Sequence, residues 1–231
     1  MTVSRWALVA TLVLAAASVV FVVLFGSPPN LGSAPMADGF QSPIMALELA
    51  RSMEDLAFLQ GDGAAELRAF LVRTQTLDWG FPLAYAGMAA AFFLALASRG
   101  GALNMLAWAG FAVALAAIPA DYMENRVINR ILADLAMGAD PAERLDALAA
   151  HTWMKWGAIG VYAALMAVLL WVRGHRLLAI PGAIGALAVA MAAVSGSAGW
   201  AAELMALAMI PFMLAFPVAA AMMLLRKPST G

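Results

Sequence analysis

Apolar residues in this chain occur in long unbroken runs, not in the one-faced or alternating patterns of a soluble fold. A helix needs roughly 20 apolar residues to cross the hydrocarbon of a bilayer, and six charge-free stretches approach that length. Trp6 to Phe25 is the first and follows Arg5. The stretches 79–98 and 102–120 flank Arg99 and read as a tight helical hairpin. Trp156 to Val172 is the fourth, closed by the basic sequence Arg173-Gly174-His175-Arg176. From Leu177 to Leu225 only Glu203 is charged, which predicts two further spans, about 177–195 and 200–225, divided at Ser195-Gly196-Ser197-Ala198-Gly199. The pattern predicts an all-α polytopic membrane helical bundle of about six transmembrane helices. With too little polar sequence between the runs to build a second core, it reads as one domain over residues 1–231.

Two polar segments, 26–77 and 121–155, lie on one side of this arrangement. Gly26 to Pro43 is rich in Gly, Pro and Ser and predicts an irregular loop. Beyond it, Ile44 to Gln60 places Met45, Leu49, Met53 and Leu56 at helical spacing with Glu48, Arg51, Glu54 and Asp55 between them. That spacing predicts an amphipathic helix on the membrane surface or capping the bundle. Gly61-Asp62-Gly63 ends it, and no Gly or Pro interrupts Ala64 to Trp79, so the second span is expected to begin well outside the membrane. In the second segment Val127, Ile128, Ile131, Leu132 and Leu135 continue the helical period past Pro119 to Met137-Gly138. Asp140-Pro141-Ala142-Glu143 then offers a cap, a proline at the first helical position and an acid in the first turn. Spans three and four thus form one long hairpin whose arms project roughly 20 Å beyond the bilayer, at about 1.5 Å per residue.

Charge sets the expected orientation. Cytoplasmic loops of membrane proteins carry the excess of Lys and Arg. With the amino terminus inside, the inner segments hold Arg5, Arg99, Arg173, Arg176, Arg226 and Lys227 and no acid, while all 14 acidic residues fall at or beyond the outer boundary. Both termini are therefore expected in the cytoplasm of a bacterial inner (plasma) membrane. The first span also resembles a secretory signal, with Arg5 before it and Ala34-Pro35-Met36-Ala37 after it. Its length exceeds the usual signal core of roughly 7 to 15 residues, so retention is the expectation and cleavage the alternative.

The composition, 65% hydrophobic and 12% charged, agrees with a bilayer as solvent. The net charge of −1 argues against a nucleic-acid partner. The absence of cysteine removes disulfides, thiolate catalysis and Cys-ligated metals. His151 and His175 fall on opposite sides of the bilayer, so no shared metal or haem is expected, and no cofactor is implied. Gly196-Ser197-Ala198-Gly199 lacks the spacing of a nucleophile elbow, and Thr152, three residues before Lys155, is a weak case for a nucleophile pair.

Counting residues from each hairpin turn indicates which side chains share a depth, because antiparallel helices rise equally per residue. Asp78 falls level with Asp121, and Lys155 nearly so, with Glu203 about a turn deeper. Asp121, Glu124 and Asn125 share one helix face, as do His151 and Lys155. Asp78, Tyr85, Asp121, Glu124, Asn125, His151, Lys155 and Glu203 form the candidate polar cluster, with Lys155 expected to pair with Asp121 or Glu124. Carboxylates outnumber the lysine unless Arg126 folds in or a carboxyl is protonated. Chemically, the acids and His151 also suit a hard divalent cation, although no dedicated ligand motif supports a metal. Trp79, Trp153, Trp156 and Trp200, at the same level, read as an aromatic belt.

Three of these pieces carry a resemblance. Asp78-Trp79-Gly80-Phe81-Pro82-Leu83-Ala84-Tyr85 opens one span, Pro119-Ala120-Asp121-Tyr122-Met123-Glu124-Asn125 closes the next, and Lys155 opens the one after. Together they resemble a group of uncharacterised bacterial multi-span membrane proteins with an Asp-x-x-Glu-Asn motif, over roughly residues 78–171. The resemblance implies a membrane bundle and brings no activity. Two functional expectations stand beside each other. One is binding or assembly, with the lipid bilayer as surroundings and a protein partner at the outer hairpin. The other is a membrane enzyme or transporter that handles a lipid or small solute through the carboxylate and lysine cluster, with Lys155 holding an anionic group and Asp121 or Glu124 exchanging protons.

Overall fold

A computed structural model of the chain describes residues 3–29, 36–37, 39–101, 103–196 and 198–225. The described residues form eight α-helices and no strand: α1 (Val3–Phe25), α2 (Pro43–Glu48), α3 (Ala65–Leu77), α4 (Phe81–Ala97), α5 (Asn104–Ala136), α6 (Leu145–Val172), α7 (Arg176–Val194) and α8 (Gly199–Leu225). Five of them, α1, α5, α6, α7 and α8, are long and apolar enough to cross a membrane, and α3 with α4 makes a sixth as a bent pair. The chain is thus a multi-pass helical bundle. Arg226 and Lys227, Ala34 and Pro35 of the cleavage-like sequence, and Ser197 of the last turn lie outside the described residues.

The spanning helices close a ring. Each of α1, α4, α5, α6, α7 and α8 packs on the next, and α8 returns to α1. Short turns force this order from α4 to α8, since neighbours joined by a few residues must lie antiparallel and adjacent. Aromatic side chains fill the middle: Phe92 and Phe93 from α4, Tyr162 from α6, and Phe212 and Phe216 from α8 are all fully buried. Their rings meet at centroid distances of 5.2 to 6.3 Å, largely edge to face or tilted. Small residues admit the close helix crossings that lipid-embedded bundles rely on. A Cβ at Gly110 would lie 2.4 Å from the Phe93 ring, and one at Gly182 only 2.9 Å from the Ala163 carbonyl oxygen.

At one end the segment around Ile44 to Gln60 caps the bundle, one of its two expected placements, and the cap has an apolar core of its own beyond that expectation. Leu47, Leu56, Phe58 and Leu59 pack with Leu67 and Leu71 of α3, Val127, Ile128 and Ile131 of α5, and Leu148 of α6. The core exists because the hairpin arms run on: α5 stays helical through Pro119 to Ala136, 33 residues or roughly 50 Å, far more than the bilayer needs. Asp140 Oδ1 accepts from the Ala142 backbone N–H at 2.9 Å to cap the turn, and Arg144 pairs with Asp134 across it.

Two expected elements differ. The amphipathic helix over Ile44 to Gln60 ends at Glu48, and a short 3-10 turn follows at Ala57–Leu59. The Asp55 carboxylate accepts from the backbone N–H groups of Arg51 and Ser52 at 2.8 and 2.9 Å, and Ser52 Oγ accepts from Asp55 N at 3.3 Å. These local bonds compete with helix continuation and win. The extension of the second span is present as α3, but it meets α4 at 42°. Pro82 has no N–H for the Asp78 carbonyl and its ring crowds that carbonyl, while the Tyr122 hydroxyl donates to the Trp79 carbonyl at 2.9 Å inside the break.

Candidate functional site

The polar cluster sits at the seam between the two apolar cores, and the sequence order of α5 and α6 puts it there. Along one face of α5, Ala117 belongs to the membrane core, Asp121, Glu124 and Asn125 follow, and Val127 and Ile128 enter the cap core. Along α6 the order reverses, from Leu148 in the cap through Thr152 and Lys155 to Trp156 and Ile159 in the membrane core. Antiparallel packing of α5 on α6 then sets the two polar stretches opposite each other.

Two connected groups result. In the first, Asn125 bridges two acids, its Nδ2 donating to Asp78 Oδ2 at 2.8 Å and to Asp121 Oδ1 at 3.0 Å. The Tyr85 hydroxyl donates to the other Asp121 oxygen at 2.7 Å. Both Asp121 oxygens are therefore occupied. In the second, the Lys155 ammonium stands between Glu48 Oε1, at 2.9 Å, and Glu124 Oε2. Trp156 Nε1 donates to the second Glu48 oxygen at 3.1 Å, and Thr152 Oγ1 donates to the Glu48 backbone carbonyl at 3.0 Å. The ammonium also lies 5.3 Å from the centre of the Trp156 ring. Glu124 is 0% and Lys155 6% exposed, so these charges are removed from solvent as well as from lipid.

Of the expected cluster, the structure gathers Asp78, Tyr85, Asp121, Glu124, Asn125 and Lys155. Of the two expected partners of Lys155, Glu124 touches it, whereas Asp121 is engaged by Tyr85 and Asn125. Glu203 is elsewhere: its Oε1 accepts from the backbone N–H groups of Gln41 and Ser42 at 2.9 and 2.8 Å and so anchors the approach to α2. Depth alone does not bring it to Lys155 on α6, because α8 stands beside α7 and α1 in the ring and not beside α6, and free N–H groups ahead of a helix attract a carboxylate. His151 is half-buried with Nδ1 lacking a hydrogen-bond partner, and no hydrogen bond or ion pair joins it to the network among the described residues. Trp156 leaves the expected aromatic belt for the interior, while Trp79 and Trp200 remain exposed at 46% and 57%.

Glu48 is the residue the sequence reading missed. Its charge sets it among the polar positions of α2, yet it falls three residues after Met45 and one before Leu49, on the apolar stripe itself. An acid on that stripe was the available signal. With Glu48 included, four carboxyl groups face one ammonium, and Arg126 stays exposed instead of folding in. At the centre, Glu124 Oε1 lacks a donor, as does the fully buried Tyr162 hydroxyl, whose electrostatic neighbours are Asp121 and Tyr85. No set of three or more His, Asp or Glu side chains among the described residues is placed to hold a metal ion. No protein-family model matches this chain, nor does any curated protein or solved structure.

Proposed function

We propose that this membrane protein has a binding or assembly role, with the hairpin of α5 and α6 and the cap around it as the surface that meets a partner. The observation that supports this reading is the closure of the charge network. Lys155 is held between Glu48 and Glu124, and Trp156 and Thr152 complete the contacts of Glu48. Groups directed at each other in this way fasten the cap to the bundle and leave the ammonium turned away from any solute. The exposed part of the hairpin, with Met137 at 74% accessibility at its tip, is then free for contact. In this reading the cap faces outward from a bacterial inner membrane and both termini are cytoplasmic, as the arginine distribution favours.

A second reading, an enzyme or transporter acting on a lipid or small solute, draws support from the carboxyl excess and from Glu124 Oε1, which lacks a donor. One chain carrying Asp121→Asn and Glu124→Gln separates the two. The binding reading expects a melting temperature several degrees lower in detergent and poorer accumulation, at about 2 to 4 °C per kcal/mol for a chain of this size. It also expects Met137→Asp at the tip to abolish the phenotype of the protein without lowering the melting temperature. A double variant that melts and accumulates normally but has lost the phenotype would move the function into the cluster and overturn the proposal.

A further inference from the structure

The end of the bundle opposite the cap gathers positive charge without an acid among the described residues. Arg5 opens α1, Arg99 follows α4, Arg173 follows α6 and Arg176 opens α7. Arg99 Nε donates to Ser4 Oγ at 3.1 Å and Arg173 Nη2 donates to the Leu96 carbonyl at 3.3 Å, so these helix ends are drawn together through neutral partners. Burial, and after it the like charge of Arg99, hold the Arg173 guanidinium below its ordinary range. The nearest acids along the chain to Arg99 are Asp78 and Asp121, each a full helix length away at the cap. Positive charge held at close quarters with no counterion among the described residues calls for an anion from outside.

Directly beside the arginines lies an apolar groove of about 340 Å³ between α6 and α7. Gly182 lets α7 approach the α6 backbone at Ala163, and the small side chains of Ala167, Ala179 and Ala183 leave a channel walled by Trp171 and Ile180. At its arginine end the Arg176 guanidinium sits 5.3 Å from the centre of the Trp171 ring, so the charged and apolar parts are contiguous. We propose that this end binds an anionic phospholipid, the phosphate held by Arg173 and Arg176 with Arg99 behind them, and one acyl chain laid in the α6–α7 groove. Guanidinium groups match phosphate oxygens in geometry as well as charge, and basic pockets between membrane helices take anionic head groups. The inference rests on neither the binding reading nor the assigned sidedness.

The test is native mass spectrometry of the full chain, purified in mild detergent and offered equal amounts of phosphatidylglycerol and phosphatidylcholine. The intact protein is expected to retain the anionic lipid about tenfold over the zwitterionic one, the ratio that 1.4 kcal/mol of preference produces. Arg173→Gln with Arg176→Gln should bring that ratio to about one. Ala183→Phe, on an exposed helix face, should reduce retention of the lipid by filling the groove while every arginine stays. A large excess of inorganic phosphate should leave the bound lipid in place. Equal retention of the two lipids by the native chain, displacement by phosphate alone, or unchanged retention in Ala183→Phe would each overturn the proposal, and the last holds even if the arginine variant fails to fold.

Discussion

Lys155 is the residue on which the seam depends. Its ammonium contacts two carboxyl groups from different parts of the chain, Glu48 just outside the membrane core and Glu124 on the adjacent helix. Removing one member of a buried ion pair leaves an uncompensated charge and costs about 3 to 5 kcal/mol. Lys155→Met is therefore expected to lower unfolding stability by that amount, measured by denaturant titration in mixed micelles, and Glu48→Gln added to it should restore part of the loss. An additive double variant would show that the two side chains do not interact. Tyr85→Phe removes a single donor to Asp121 and should cost less, about 1 to 3 kcal/mol by the same measurement. The two variants differ because an unpaired buried ion is harder to accommodate than an acceptor that has lost one of two donors.

Among the elements, α4 and α5 show how packing in lipid depends on absent side chains. Phe93 is fully buried, and its ring presses on the backbone where Gly110 has no Cβ. Gly110→Ala is expected to destabilise the bundle by about 1 to 3 kcal/mol, the usual range for overpacking. Phe93→Leu in the same chain should recover most of it in a thermal melt, and failure of that rescue would place the cost outside this crossing. The helix composition was readable beforehand: charge-free runs located α1, α4, α7 and α8, and periodicity carried α5 past Pro119. The end of α2 and the bend between α3 and α4 were not, because both turn on competition for single backbone groups. Asp55 and Ser52 take the N–H groups that helix extension would use, and Pro82 leaves the Asp78 carbonyl without its donor.

For the molecule as a whole, the two ends differ in kind: a cap with an apolar core and buried acids at one and, among the described residues, four arginines at the other. The absence of cysteine makes the orientation simple to measure. With the cap outward as proposed, Met137→Cys at the hairpin tip should react with a membrane-impermeant maleimide added to intact cells stripped of any outer wall, and Ser98→Cys, at the exposed turn between α4 and α5, only after permeabilisation. The reverse labelling pattern would invert the topology and place the cap in the cytoplasm.

What the sequence determined by itself is the set of apolar helices long enough to span and the shared level of Asp78, Asp121, Glu124 and Lys155 along them, since hydrophobic run length and rise per residue are properties of the chain. Lateral position was decided only in the tertiary structure. Glu203 and Lys155 are counted to nearby levels but stand on α8 and α6, which are not adjacent in the ring, while Glu48, in a segment without a level to count from, reaches the centre because the cap folds over the seam. Length along a helix is written residue by residue in the chain; which helix faces which, and what a connecting segment covers, is set by how all the apolar surfaces are buried together.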